Sequence, residues 1–270
     1  MSSVSKEVTI LSHTHVLAGA AALALLTGAC ASGEDDASAA QRAPTAVAPG
    51  TLGDGLPQGS KPVTLDPAEF TTQIDNPYWS MTPGNRWVYR ETDDEGNVER
   101  VEVTVTDRTK TVAAGVVARV VRDVKTEGRR VVEDTDDWYA QDAEGNIWYL
   151  GEDTEAYEDG KTSTAGAWEA GVDGAQAGVI MPANPQVGMT YRQEYYAGEA
   201  EGNAAVLSLD EQAQVPFGQF KGALLTKEYS PLEPEVLEYK LHAKGVGPVL
   251  IIAVSGDWSR SELVTFTKAR

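Results

Sequence analysis

Period-two alternation of apolar and polar residues dominates the chain. The segment VERVEVTVTD (Val98 to Asp107) alternates over its whole length, as a β-strand with one buried face does. Further strand-like runs follow, separated by Gly, Pro, Asn or Asp: GVVARVVRDV, AAVLSLDEQAQV, GALLTKEY, VLEYKLHA, VLIIAV and SELVTFT. The pattern predicts about ten or eleven antiparallel strands in a mainly β domain, built as one large curved sheet, a sandwich or an incomplete barrel.

Helical signals are few. Asp66 can cap a helix, Pro67 suits its first position and Glu69 completes a capping box. This helix should end before Asn76-Pro77, because the residue preceding a proline disfavours helix. The stretch around residues 165–177 is ambiguous, so we expect one or two short helices in all.

Two segments share the chemistry of a tight hairpin turn. Residues 93–97 (DDEGN) and 142–146 (DAEGN) both place Asp first and Gly fourth, the preference of a type I turn with a bulge. For the second hairpin, pairing Asp142 with Asn146 would place Tyr139 opposite Tyr149, Ala140 opposite Trp148 and Trp138 opposite Leu150. One face would then be core, and the face with Tyr139, Gln141, Ile147 and Tyr149 an amphipathic strip. The first hairpin should group Trp87, Tyr89, Val101 and Val103 on one face.

The first residues carry the features of an export signal. An apolar run from Val16 to Leu26 leads into Thr27-Gly28-Ala29-Cys30, and small residues before a cysteine are typical of bacterial lipoprotein signals. The run is about 11 residues, too short for a membrane-spanning helix, which needs roughly 20. Residues 1–29 are therefore predicted to be a lipoprotein signal peptide, with Cys30 lipidated. Ordinary signal-peptidase cleavage and secretion are the alternative.

The rest of the chain divides by composition. Residues 30–62 are rich in Ala, Gly, Ser and Pro, which predicts a disordered, flexible tether. Residues 63–270 should form the antiparallel β domain. The net charge of −19 repels nucleic acids and anionic lipid headgroups, so nucleic-acid binding is excluded and membrane contact is expected through the lipid alone.

Metal and cofactor chemistry is restricted by the residue types. Cys30 is the only cysteine and His242 the only histidine after residue 29, so a zinc site and nucleophilic catalysis are not expected. Calcium needs only oxygen ligands, and Asp134, Asp136 and Asp137 are the candidate set. A solvated acidic edge is the alternative interpretation. No other cofactor is expected.

Carboxylates beside aromatic residues raise the question of glycoside hydrolysis. A carbohydrate-active enzyme could use the Asp and Trp residues of positions 136–148, because it needs two carboxylates across a cleft. However, 41 acidic residues in 270 make such neighbours common by chance. We therefore expect a protein that is not an enzyme, with the carbohydrate-active enzyme as the alternative.

The concave side of a curved sheet could instead hold an apolar small molecule. The candidate lining residues are Tyr139, Tyr149, Trp168 and Met181. Trp168 and Met181 lie in a stretch, residues 164–188, that we expect to be a long ordered loop, and such loops are often functional. The alternative is that these side chains are ordinary core.

Several segments together resemble a family of uncharacterised bacterial secreted proteins and lipoproteins: NPYWSMTPGNRWVY, DWYAQDAEGNIWYLGE, GVIMPANPQVGMTYRQEYY, VPFGQFKGALLTKE and KGVGPVL. The resemblance covers about Phe70 to Leu250, and its latter half is also similar to a broader domain of unknown function. It implies an incomplete antiparallel barrel wrapped around a helix, akin to periplasmic lipid carriers. It implies no catalytic or binding residues.

These observations lead to one functional expectation. The protein should be an extracytoplasmic lipoprotein on the outer face of the cell membrane or in the periplasm, with a non-enzymatic binding or envelope-associated role. A structural or interaction protein with a calcium site is the further alternative. The sequence indicates no particular protein partner.

Overall fold

The computed structural model describes residues 55–256 and 258–269, and in these residues the chain forms sixteen strands and one short 3₁₀ helix. The helix is Pro67–Glu69, and the strands are β1 Phe70–Thr71, β2 Arg86–Asp93, β3 Val98–Thr111, β4 Val117–Glu127, β5 Arg130–Asp142, β6 Ile147–Glu158, β7 Lys161–Ser163, β8 Trp168–Glu169, β9 Gln176–Met181, β10 Thr190–Arg192, β11 Glu194–Tyr195, β12 Asn203–Val215, β13 Gly218–Ser230, β14 Glu233–Ala243, β15 Gly247–Ser255 and β16 Ser259–Thr267. The predicted signal peptide, the lipidation at Cys30 and most of the predicted tether lie outside the described residues.

The strands form one antiparallel sheet that is nearly closed into a barrel. Their order is β10-β12-β13-β14-β15-β16-β2-β3-β4-β5-β6-β9-β11, with β1 beside β5 and with β7 and β8 beside β6. The two ends of this order, β10 and β11, are consecutive in the chain and separated by Gln193 alone. The segment 190–195 therefore joins the two edges of the sheet. The prediction of a mainly β, barrel-like fold is confirmed.

The first hairpin follows the predicted register. Trp87 lies opposite Val103 and Tyr89 opposite Val101, and all four side chains are buried. The alternation that begins at Val98 therefore places one face of β2 and β3 in the barrel interior, where burial of apolar area stabilises the fold.

The second hairpin confirms two of its three predicted pairs. Tyr139 lies opposite Tyr149 and Ala140 opposite Trp148, whereas an irregularity between Asp137 and Tyr139 shifts the register before Trp138 can meet Leu150. The face expected to be an amphipathic strip is buried, because it points into the barrel. The opposite face is largely buried as well.

Both hairpins turn as predicted. Gly145 has φ of 97° and Gly96 has φ of 82°, a conformation that favours glycine. The Asp142 carboxylate accepts hydrogen bonds from the backbone N–H of Asn146 at 2.8 Å and of Glu144 at 3.0 Å. These side-chain bonds fix the turn and, with it, the register of β5 against β6.

The predicted helix after Asp66 is much shorter than expected. The Asp66 carboxylate does cap it, accepting a hydrogen bond from the N–H of Ala68 at 3.0 Å, but the helix ends at Glu69 and β1 begins directly afterwards. Phe70 and Thr71 pair with β5 instead of continuing the helix. In the described residues no helix lies inside the barrel, and none is long and apolar enough to cross a membrane.

Two predicted loop regions are more ordered than expected. Residues 164–188, expected as one long loop, contain β8 and β9, and β9 is part of the barrel wall. Residues 57–61, the strap, belong to the predicted tether but run along the barrel. Arg192, which is 1% exposed, donates from Nη1 to the carbonyls of Gly59 at 2.7 Å and Lys61 at 2.9 Å. The predicted boundary at residue 62 therefore lies too late, because the strap packs with the β domain.

Candidate functional site

The predicted apolar-ligand residues form part of the packed interior. Tyr139 and Tyr149 stack with ring centroids 5.0 Å apart, and Trp168 meets Tyr149 edge-on at 5.3 Å. Met181 is fully buried at the other end of the hairpin, where it pairs with Ile147. The structure therefore brings the three aromatic residues together, and all four predicted residues are core in this conformation.

The barrel interior leaves little room for a ligand beside this cluster. An internal cavity of about 10 Å³ lies between Trp79, Tyr89 and His242, near the space that one water molecule needs. Burial lowers the pKa of His242 to about 3, with Lys240 adding to the effect, so the imidazole is neutral. The concavity of the sheet is thus filled by side chains.

Several carboxyl groups lie inside the barrel, and we call five of them, which share raised pKa values, the interior carboxyl belt: Asp123, Glu133, Asp137, Glu152 and Glu194. Each is at most 8% exposed. Burial is the largest cause that raises the pKa of every member, to about 7 for Glu133 and Asp137 and to about 8 for Glu194. Repulsion from Asp137 raises the pKa of the other four. Much of the belt is therefore protonated at neutral pH.

Two buried lysines balance carboxylates next to the belt. Lys125 Nζ donates to Glu91 at 2.8 Å, and Lys240 Nζ binds Glu228 at 2.7 Å and Glu238 at 2.9 Å. Burial alone would lower the pKa of each lysine, but the paired carboxylates raise it above its ordinary value. Both lysines thus remain charged inside the barrel, where breaking either pair would leave an uncompensated buried charge.

A second candidate site lies outside the barrel. An open polar groove of about 620 Å³, the outer groove, crosses strands β3 to β6. Thr104, Thr106 and Val124 form part of its floor. Six carboxylates and two guanidinium groups line it: Glu102, Asp107, Asp134, Asp136, Asp153, Glu155, Arg108 and Arg122. A register shift between Val105 and Thr109 bends β3, as β-bulges do, and curves this part of the sheet.

The arginines neutralise one side of the outer groove. Arg108 reaches across β4 and binds both carboxylate oxygens of Asp136 at 2.6 Å. Arg122 binds both oxygens of Asp134, one of them at 2.7 Å. Glu102 forms ion pairs with two further arginines, Arg86 and Arg100. The hydrogen bond from Arg86 contributes most to lowering the pKa of Glu102 to about 2.

The β6 side of the outer groove is negatively charged. Asp153 lies directly opposite Asp136, and Glu155 lies directly opposite Asp134, so two like-charged pairs stack along the same face. Among the described residues no cation is paired with Asp153 or Glu155, although Glu155 accepts a hydrogen bond from Tyr157 Oη. Like charges directly opposite each other destabilise a sheet.

The predicted calcium ligands do not converge. Asp134 and Asp136 point outwards to their arginines, whereas Asp137 points inwards and accepts a hydrogen bond from Tyr149 Oη at 2.8 Å. Successive residues of a strand face opposite sides of the sheet, so these three carboxylates cannot meet. Across residues 55–256 and 258–269, no group of three or more acidic or histidine side chains is arranged to hold a metal ion.

The acidic and aromatic cluster of positions 136–148 is divided in the same way. Asp136 faces the outer groove, Asp137 faces the interior, and Asp142 lies in the hairpin turn, where it accepts a hydrogen bond from Trp148 Nε1 at 2.7 Å. Strongly raised pKa values often mark catalytic groups. Here the raised groups are sealed in the interior, and no two of these three carboxylates face each other across a cleft.

The sequence patterns missed the charged interior, although a signal was present. The alternate residues of β2 that face the core are Trp87, Tyr89 and Glu91, so a charged residue follows two aromatic ones on the same face of the strand. The core face of β4 similarly runs from Val121 to Asp123 and Lys125. A charged residue in phase with an apolar strand face is therefore the feature that would have indicated a polar layer inside the barrel.

The chain matches no protein-family model and no curated protein. Its fold is similar to a candidate lipoprotein from Parabacteroides distasonis, at 16% identity and a TM-score of 0.41, covering 70% of this chain and 98% of that one. It is also similar to a candidate exported protein with a YmcC-like fold from Bacteroides fragilis, at 13% identity and a TM-score of 0.38, covering 69% of this chain and 97% of that one. A third similar structure is a β-barrel-like protein of the domain of unknown function DUF1849 from Brucella abortus, at 13% identity and a TM-score of 0.36, covering 69% of this chain and 98% of that one. Likenesses this distant carry no information on function.

Proposed function

We propose that this protein is a lipid-anchored, extracytoplasmic binding protein without enzymatic activity, and that the outer groove docks a cationic segment of a partner polypeptide. The observation that carries the proposal is the stack of two like-charged pairs, Asp136 with Asp153 and Asp134 with Glu155. Each pair holds one arginine, so each keeps one unneutralised negative charge. A bound cation would neutralise that charge and relieve the remaining repulsion between the two carboxylates.

The charge balance of the groove supports a cationic partner. Of the six carboxylates that line the groove, Glu102, Asp134 and Asp136 are already paired with arginines. Asp153 and Glu155 remain as acceptors for lysine or arginine side chains. Complementary charge also increases the rate at which such a partner associates.

Two other features support this site over the alternatives. The interior, which would hold an apolar ligand, is filled around Tyr139, Tyr149 and Trp168. The three carboxylates considered for glycoside hydrolysis lie on separate surfaces, whereas that chemistry needs two across one cleft. The outer groove is open and carries its charge on a rigid sheet, which suits binding.

The test is a calorimetric titration with hexalysine at low salt. The variant Asp153→Asn/Glu155→Gln breaks no arginine pair and should weaken binding about tenfold, because exposed charge pairs contribute up to about 1 kcal/mol each. The control Asp94→Asn/Glu235→Gln removes the same charge from exposed positions outside the groove and should bind as the native protein does. Equal weakening in both variants would show a non-specific charge effect and refute the proposal.

A stability measurement on the same two variants adds an independent criterion. Removing the repulsion should make Asp153→Asn/Glu155→Gln more stable than the native protein by roughly 0.5 kcal/mol, while its binding falls. The control should change neither quantity. A groove variant that loses stability together with binding would indicate a structural role for these carboxylates.

The anchoring part of the proposal rests on the sequence around Cys30. Cys30→Ala should release the protein from the membrane fraction. Retention of the variant in that fraction would show that the N-terminus acts as an uncleaved anchor.

A further inference from the structure

The barrel is closed by two short ladders. The segment 190–195, the seam, pairs with β12 through three residues of β10 and with β9 through two residues of β11. By comparison, β2 pairs with β3 over seven residues. Regions held by few hydrogen bonds open at a lower free energy than the rest of a structure. Because Arg192 also binds the seam to the strap, the ladder lengths favour local opening on the other side of the seam, where only two residue pairs join β11 to β9.

Glu194 lies in this seam under unusual conditions. Its side chain is 1% exposed, and neither carboxyl oxygen has a hydrogen bond of normal geometry. The indole N–H of Trp168 interacts with this carboxyl group and acts to lower its pKa, although Nε1 has no hydrogen bond of normal geometry either. The packing is tight: a Cβ atom on Gly202 would lie 2.7 Å from Oε1. A charged carboxylate in this place would be poorly solvated.

The charges around Glu194 come from four other strands. Asp137 on β5, Glu152 on β6 and Glu228 on β13 repel a negative charge on Glu194, whereas Lys240 on β14 attracts it. Lys240 is already shared by two carboxylates, as its contacts to Glu228 and Glu238 show. The surroundings therefore favour the neutral form, and burial is the largest cause that raises the pKa of Glu194 to about 8.

We propose that Glu194 is a proton-operated latch of the barrel: its neutral carboxyl group keeps the seam closed, and loss of its proton opens the sheet between β9 and β12. The ionised carboxylate gains hydration only if the seam separates from a neighbouring strand. The ladders on both sides of the seam are short, so this separation breaks few backbone hydrogen bonds. Opening would expose Trp168 and the stacked tyrosines behind it. The latch is independent of the outer groove.

The test is hydrogen exchange measured by mass spectrometry between pH 6 and pH 9, corrected for the intrinsic exchange rates. In the native protein, protection of residues 190–195 should fall as the pH rises from 6 to about 8, by up to tenfold per pH unit, and should level off above pH 8, because opening releases a proton only while the closed seam still holds one. Protection of β2 and β3 reports global unfolding and should stay higher than that of the seam at every pH, because the seam opens while the rest of the sheet remains folded. In Glu194→Gln, which keeps the shape and removes the charge, protection of the seam should not show this additional fall.

The control is Glu199→Gln, which removes an exposed carboxyl group four residues after the seam and should behave as the native protein does. A parallel fall in Glu194→Gln and the native protein would overturn the proposal, as would constant protection of the native seam up to pH 9. Carbon-13 NMR of the native glutamate carboxyl groups gives a second criterion that needs no variant. The midpoint for Glu194 should coincide with the pH at which seam protection stops falling, and a clear separation of the two would also overturn the latch.

Discussion

The strap provides a quantitative test of where the folded domain begins. A variant that starts at Val63 lacks residues 57–61, whereas one that starts at Gly55 keeps them. Only the longer variant satisfies the buried Arg192 guanidinium, whose Nη1 donates to the carbonyls of Gly59 and Lys61 at 2.7 and 2.9 Å. We expect the shorter variant to be markedly less stable.

The magnitude follows from the bonds that are lost. A hydrogen bond from a charged group contributes about 1.5–3 kcal/mol, so the two bonds to Nη1 together contribute about 3–6 kcal/mol. The backbone N–H of Arg192 also loses the Pro57 carbonyl, which it meets at 2.8 Å. Because small domains unfold with only about 5–15 kcal/mol, this loss would remove a large part of the stability.

Urea unfolding of the two variants measures the difference directly. Adding Arg192→Met to both completes a double-mutant cycle. In the longer variant the substitution should cost several kcal/mol, because carbonyls that were paired lose their donor. In the shorter variant the cost should be much smaller, since the guanidinium has already lost two of its partners. Stabilities of the two starting variants within about 1 kcal/mol of each other would refute the reasoning.

Three further predictions concern the turns, the tightly packed glycine and the interior carboxyl belt. Asp142→Ala should cost about 2–3 kcal/mol in urea unfolding, and more than Asp93→Ala, because only Asp142 also accepts an indole N–H. Gly151→Ala should cost over about 3 kcal/mol or prevent folding, since its Cβ would lie 2.2 Å from a β8 carbonyl oxygen; Gly160→Ala, with nothing within 4 Å, should cost about 1 kcal/mol. The belt has raised pKa values in the folded state, so the folded protein binds more protons than the unfolded chain between about pH 5 and pH 8. Its stability should therefore fall as pH rises through that range, by up to about 1.4 kcal/mol per pH unit for each group. A urea midpoint that stays flat or rises from pH 5 to pH 8.5 would contradict this assignment.

Local chemistry determined the features that the sequence predicted well. The DAEGN and DDEGN segments fix their turns through hydrogen bonds between residues no more than four positions apart in the chain. The alternation from Val98 onwards specifies which face of β3 is buried. Register and hairpin pairing follow from these short-range interactions. The number of strands indicated a curved sheet, a sandwich or an incomplete barrel, and the resemblance to secreted proteins and lipoproteins implied the barrel.

Interactions between distant parts of the chain explain what the sequence patterns missed. Arg192 holds the strap from more than 130 residues away, so composition alone assigned residues 57–61 to the tether. The outer groove includes a register shift in β3, beyond which Arg108 reaches Asp136 on β5. No local sequence pattern predicts this shift. The short helix after Asp66 had good capping signals, but the pairing of β1 with β5 overrode them.

The measurement that tests the proposed function most directly is a map of where hexalysine binds the native protein. Backbone amide chemical shifts should be followed by NMR during a titration at low salt. We predict that the largest changes fall on β5 and β6 around Asp136 and Asp153, with the rest of the acidic surface little affected. Changes spread evenly over exposed acidic residues, or centred on another face of the barrel, would contradict the assignment of the outer groove as the binding site.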